Sequence, residues 1–235
     1  MAKLSNQAIE QHYFEQFQKH YPLPSGVVEF KDKPDVLIRG PLKVGVEIAN
    51  LYISNGSDPA SEQVQRPRRK QVIEQAQALH QANGGKRIEL TVDFQPQNPI
   101  TKIGPVAKAI AALAMQVENK PSSQLSPILF KHIPELRFVY CNSDEYPDAL
   151  WRSSQTSSVP FLSVERIREI VAEKTHKLTN YEKCDAYWLL LVVDFRDPAQ
   201  DQELKWPIGE QPLGSPYERV LIYKPQFGQV LKVPQ

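Results

Sequence analysis

Asp35 and Glu47 lie on either side of Gly40-Pro41, a turn that joins two short runs rich in β-branched residues. Folding the chain at that turn puts Arg39 opposite Lys43, Ile38 opposite Val44, Val36 opposite Val46 and Asp35 opposite Glu47. Strand side chains alternate between faces. Val36, Ile38, Val44, Val46 and Ile48 then share a dry face, and the two carboxylates share the other. Directly opposed residues have Cβ atoms about 5 Å apart, so two anions there repel unless a cation lies between them. A hard divalent cation that takes oxygen ligands, Mg²⁺ or Mn²⁺, suits such a pair. The other reading of the same residues is a turn acid after Pro34 and a glutamate on a solvated face.

Two more charged side chains fall on apolar stripes. Residues 5–21 have helical spacing, with Ser5 or Asn6 as N-cap and Ile9, Tyr13, Phe14, Phe17 and Tyr21 on one side. Glu10 falls in the middle of that side. It is either a first-turn carboxylate near the positive end of the helix dipole or a third acid directed at the metal. Residues 163–181 have the same periodicity, with Ile167, Val171, Leu178 and Tyr181 along one side, Lys174 at its centre and Lys177 at its edge. Burying an unpaired ammonium is expensive, so Lys174 either snorkels to water or faces anions. The carboxylates of the hairpin would supply those anions. The run Arg66-Pro67-Arg68-Arg69-Lys70 offers Arg68, Arg69 and Lys70 to a phosphate backbone, or is a solvated basic turn balanced by Glu62 and Glu74.

The elements that must position these residues follow from periodicity and punctuation. A helix is expected over about 61–82, with its regular part starting near Pro67 and a stop at Asn83-Gly84-Gly85. A strand follows over 86–94, an alanine-rich helix over 101–119 and a strand over 136–141. Residues 144–159 are ambiguous, with an edge strand open over 151–158. Residues 187–195 form a continuous apolar run, which suits a strand buried on both faces. A polar loop over 196–216 leads to a terminal hairpin, 219–223 with 229–233, around Pro225 to Gly228. This order predicts an α/β protein with a mixed central sheet flanked by helices.

Composition bounds the rest. A chain of 235 residues can close one sizeable core, so a single domain over 1–235 is expected. The net charge of +1 excludes a global field that would collect nucleic acid, so any such site must be a local patch. Cys141 and Cys184 are the two cysteines, which fits a reduced, cytoplasmic setting. No apolar run is long enough for a membrane span, and no secretory signal precedes the first helix. The chain has no GxxxxGK[ST], GxGxxG, CxxC or HExxH pattern.

With Pro34-Asp35 at the start of one strand and Glu47 on the next, this order resembles the PD-(D/E)XK nuclease superfamily, the restriction-endonuclease-like fold. The resemblance covers residues 6–94 and the helix–strand pair at 163–195. It implies that Asp35 and Glu47 bind Mg²⁺ or Mn²⁺, with an oxygen added by the Ile48 carbonyl. It also implies that Glu10 matches the first-helix glutamate of some families with this fold. The lysine that usually stands two residues after the glutamate is replaced by Ala49. In some members that lysine comes from a helix, and Lys174 looks like such a migrated lysine. The implied activity is metal-dependent hydrolysis of phosphodiester bonds, with DNA as the expected partner and a homodimer where both strands are cut. Ala49 keeps another reading open, an inactive nuclease-like fold that binds nucleic acid or protein. An unrelated α/β enzyme or scaffold with both acids on its surface is the third reading.

Overall fold

The computed structural model describes residues 5–154 and 159–235. In chain order come α1 (Asn6–Phe17), β1 (Val27–Phe30), β2 (Val36–Arg39), β3 (Lys43–Asn50), α2 (Glu62–Ala82), β4 (Glu89–Phe94), α3 (Ile103–Val117), β5 (Ser123–Gln124), α4 (Pro127–Phe130), β6 (Leu136–Asn142), β7 (Arg152–Ser153), α5 (Val164–Thr175), β8 (Ala186–Val192), β9 (Arg219–Lys224) and β10 (Gln229–Lys232). Length and composition suggest one domain over 1–235. Contacts instead group the chain into two compact units, Met1–Ile53 with Val159–Gln235, and Ser54–Ser158. Composition does not reveal the boundary because each unit carries its own apolar core of ordinary make-up.

The first unit is built on a six-stranded sheet ordered β1-β2-β3-β8-β9-β10. Strands β1, β2 and β3 form an antiparallel meander, and β2 meets β3 in the register Val36↔Val46, Ile38↔Val44, Arg39↔Lys43. That is the register set by the turn at Gly40-Pro41. Strand β8 runs parallel to β3, and β9 runs parallel to β8. Parallel neighbours cannot be joined by a tight turn. The connection from β3 to β8 holds α5 and the whole chain of the second unit.

Both faces of this sheet are covered. Val36, Ile38, Val44, Val46 and Ile48 pack with Phe14 and Phe17 of α1. On the other face Leu189, Leu191 and Val193 pack with Ile167, Ile170 and Val171 of α5. Residues 188–193 are therefore at most 1% exposed, which explains why β8 reads as an unbroken apolar run. Helix α1 starts at Ser5, whose Oγ accepts a hydrogen bond from the Ala8 N–H at 3.2 Å. The terminal hairpin of β9 and β10 turns through Pro225–Phe227 and Gly228, whose φ of 58° favours glycine.

The second unit has a four-stranded sheet ordered β5-β6-β4-β7, in which β4 is antiparallel to β6 and parallel to β7. Val72, Ile73 and Ala76 of α2 share a core with Ala107, Ile110 and Ala114 of α3 and with Leu90, Val92 and Val139 of the sheet. Helix α2 runs straight through Pro67 from an N-cap at Ser61, so the regular helix begins earlier than the proline suggests. Of the ambiguous stretch, Arg152–Ser153 pairs as β7, and residues 155–158 lie outside the described part. The class is thus α/β with mixed sheets flanked by helices, in two sheets where one was expected. Both cysteines are free thiols. Among the described residues no helix is long and apolar enough to cross a membrane.

Two features of β3 prepare the site. Pairing with β2 ends at Val46, whereas pairing with β8 continues to Asn50. From Glu47 onward the β2 side of β3 is therefore an open edge. Gly45 lies just before that edge. A Cβ there would come within 2.8 Å of Pro34 Cγ, 3.0 Å of Tyr187 Cδ1 and 3.2 Å of Cys184 Sγ. Gly45→Ala is expected to cost about 1–3 kcal/mol by overpacking, read as a lower urea midpoint with an unchanged slope.

Candidate active site

Asp35 is the residue immediately before β2, and the Ile48 N–H on the open edge donates to its Oδ2 at 2.6 Å. The N–H and C=O of a strand residue point the same way, so the Ile48 carbonyl also faces this edge. Glu47, one residue earlier on β3, points to the face covered by α5. It is aligned with Leu189, a member of the α5-side core. There the Lys174 Nζ donates to Glu47 Oε1 at 2.7 Å. The Glu47 side chain is only 7% exposed and that of Lys174 only 17%. A carboxylate so deeply removed from water needs a charged partner, and Lys174 is that partner. Of the two readings of Lys174, the structure shows the one in which the ammonium faces an anion.

The remaining groups define the field. Burial pushes the Asp35 carboxyl up to about 7, and the Glu47 charge adds to the effect. The Ile48 hydrogen bond and the Lys174 charge work in the opposite direction. Glu10, on the fifth residue of α1, is partly buried. Burial first and Glu47 second raise its carboxyl, while Lys174 lowers it. Glu10 thus stands within the field of the acid pair. It also lines a cavity of about 280 Å³ with Asn6, Ile9, Tyr13, Ile48, Ala49, Asn50 and Tyr52. Tyr181 follows α5 by one short turn. Its phenol is pushed up by burial, then by the Glu47 carboxylate. The Tyr217 phenol is pushed up by burial and then by Glu47 and Asp35.

Asp35, Glu47, Lys174 and the Ile48 main chain are therefore linked in the first unit, and Glu10 lies within their field and beside Ile48 without joining the two acids in a three-carboxylate group. Arg68, Arg69 and Lys70 belong to the second unit and are spent differently. The Arg68 Nη1 donates to the Ile100 carbonyl at 2.6 Å, and Arg69 makes a two-pronged bond to Glu62. Lys70 is exposed, with Glu74 3.8 Å away. Such engaged guanidinium groups hold α2 in place rather than offering both forks to a phosphate. Tyr217 went unnoticed in the sequence because it sits near a long polar loop with no periodicity. Tyr181 carried a signal, its place on the same helical stripe as Lys174.

Asp35 and Glu47 offer two carboxylates and the Ile48 carbonyl a third oxygen, a donor set that suits a hard divalent ion. Among the described residues, no three His, Cys, Asp or Glu side chains form a ready-made metal group. The fit is electrostatic. Lys174 bonds Glu47, and the Asp35 carboxyl is raised first by burial and then by the Glu47 charge.

Two outcomes follow. Below pH 3.8 Asp35 is protonated in folded and unfolded chains alike. Between 3.8 and about 7 only the unfolded chain releases the proton, so stability falls as pH rises and stays low above 7. In EDTA, Asp35→Asn should raise stability at pH 8 by on the order of 2 kcal/mol and have little effect at pH 4, as followed by thermal melts. Lys174→Met leaves Glu47 buried without a counter-ion and should cost about 3–5 kcal/mol, much of it recovered in the Lys174→Met/Glu47→Gln double variant. Denaturant titration of the four chains reads this cycle.

Comparison with protein-family models, with curated proteins and with solved structures finds no match to this chain.

Proposed function

We propose that the first unit is a metal-dependent nuclease of the restriction-endonuclease-like type, hydrolysing phosphodiester bonds in nucleic acid, with DNA as the favoured substrate. The observation that carries this reading is the Lys174–Glu47 bond at 2.7 Å beside an Asp35 that caps Ile48. The topology supports it as well. The helix and strand that the resemblance took from residues 61–94, α2 and β4, belong to the second unit, so the support from topology is confined to α1, β1–β3, α5 and β8 of the first. An acid just before β2 and another on β3 suit the metal-ligand role that the resemblance assigns to Asp35 and Glu47. The lysine absent at Ala49 is supplied by α5.

The chain's own residues have distinct tasks in this reading. Asp35, Glu47 and the Ile48 carbonyl would hold the cation, Mg²⁺ or Mn²⁺. When bound, it polarises the scissile phosphate and lowers the pKa of a water. An ammonium has three N–H donors, and Lys174 commits one to Glu47. Its other donors can orient the attacking water or meet the charge that grows on the phosphoryl oxygens. Glu10 faces the cavity beside Ile48 and can accept a hydrogen bond from a water there. Of the basic run in the second unit, Lys70 remains the candidate for contact with a phosphate backbone.

The test is cleavage of supercoiled plasmid and of single-stranded DNA in Mg²⁺ or Mn²⁺, against EDTA. Wild type should cut, and Asp35→Ala and Glu47→Ala should each be slower by at least about 100-fold. Equal cutting by all three chains rejects the site. DNA binding without cutting, retained in both variants, identifies an inactive binding module instead, the reading that Ala49 favours.

A further inference from the structure

The cavity beside Ile48 has polar walls that bond nothing in the protein. Glu10, Tyr13 and Tyr52 are half-buried there, and Asn6 and Asn50 reach it from exposed positions. None of these five side chains has a hydrogen-bond partner among the described residues. The larger cavity of the second unit, about 680 Å³, is of another kind. There Arg69 bonds Glu62, and Gln77 bonds the main chain of Ala149 and Trp151. Unspent donors and acceptors gathered around one hollow suit a polar ligand.

The walls narrow the choice of ligand. About 280 Å³ is just under the ~300–1,000 Å³ typical of drug-sized ligands, so the hollow suits one flat ring system. Tyr13 and Tyr52 supply aromatic surface of the kind on which bases stack. Tyr13 also packs against the α1-side core, which fixes its ring before a ligand arrives. Asparagine amides pair with base edges, and a glutamate oxygen accepts from the amine of cytosine. A carboxyl in the wall disfavours a phosphate, so a neutral ring enters rather than the backbone. The hollow begins at Ile48, whose N–H bonds Asp35. A strand with its phosphate at the acid pair thus has the adjoining base beside the hollow.

We propose that this cavity seats one unpaired base of the strand to be cut. The amine of the base donates to Glu10, and the Asn50 amide donates to a ring nitrogen. The proposal rests on the nuclease reading above and names its substrate class: nucleic acid with a base outside the double helix, a single strand or a flipped nucleotide. A paired base has its edge committed and its faces stacked, and drawing it out costs energy. Thymine presents an oxygen where cytosine presents the amine, so Glu10 discriminates between them.

The experiment reads binding by fluorescence anisotropy in EDTA, where no metal-dependent cutting occurs. The probes are single strands of twelve cytosines or twelve thymines, and a duplex of mixed sequence. Wild type should bind the cytosine strand at least about fivefold more tightly than the thymine strand. Asn50→Ala and Tyr13→Leu should each bind the cytosine strand about fivefold to tenfold more weakly, with duplex binding unchanged. Glu10→Gln, whose amide donates as well as accepts, should bind the two strands alike. Asn50 is exposed at the end of β3, so its replacement leaves the core untouched. Wild-type affinity for the cytosine strand in Asn50→Ala therefore overturns the proposal, even where Tyr13→Leu fails to fold. An equal loss on strand and duplex overturns it too, since that marks a general contact with the backbone. So does a wild type that binds neither single strand, or binds both alike. Cleavage in Mg²⁺ separates the two readings. An Asp35→Ala chain that cuts as fast as wild type rejects the acid pair, whereas a failure confined to the anisotropy series removes only the base seat.

Discussion

The first unit depends on an imbalance of charge. Two carboxylates, Asp35 and Glu47, are drawn out of water at one end of a strand pair, and one ammonium, Lys174, is bonded there. Removing an ion from water costs several kcal/mol, and a well-formed pair recovers that cost only when the charges match. Glu47 has its match. Asp35 has a main-chain N–H and a distant share of the same ammonium, so its carboxyl rises toward neutrality. A purely structural cluster would gain by replacing one acid with an amide. The retained excess of negative charge, at an open strand edge beside a cavity, is the kind of local cost that binding a cation offsets.

The sheet explains why that imbalance can exist. Within a fully paired sheet, the main-chain groups of residues 47–50 would be consumed by a neighbour on each side. Here β2 stops pairing at Val46 and β8 alone continues, so the Ile48 amide is free for a carboxylate. The open edge also lets groups from both faces reach the same point. Lys174 approaches from α5 on one face and Glu10 from α1 on the other. Both helices are fixed by ordinary hydrophobic packing, α1 through Phe14 and Phe17, α5 through Ile167 and Val171. The apolar cores thus set the charge geometry, and no loop has to do so.

How much of this was legible depended on the range of the interaction. The β2–β3 register could be read because a short turn and strict alternation leave one arrangement with a dry face. Lys174 could be read as out of place because a helical stripe exposes a misfit at its centre. Its partner, 127 residues away, followed only by elimination. The division into two units was invisible, since an insertion between β3 and α5 keeps the period of every element around it. The basic run could be read as phosphate ligands or as a turn balanced by Glu62 and Glu74, and only the acidic partner could be foreseen, because a main-chain acceptor elsewhere in the chain leaves no mark in a charge run. Ile100 claims Arg68, and Glu62 claims Arg69. Tyr217 had no sequence signal, since a lone tyrosine near a loop does not announce burial.

Ala49 is the last piece, and packing accounts for it. Glu47 and Ala49 are aligned with Leu189 and Leu191 of β8, so both face α5, and Ala49 packs against that helix's core. A lysine at position 49 would have to thread its stem between β3 and α5, through space that Ile167 and Val171 help to fill. A cation delivered from α5 itself meets the same carboxylate from above and needs only a small residue below it. Alanine at 49 and lysine at 174 are then two halves of one arrangement. The small side chain admits the helix, and the helix brings the charge. With alanine at 49, Lys174 reaches Glu47 with most of its length buried.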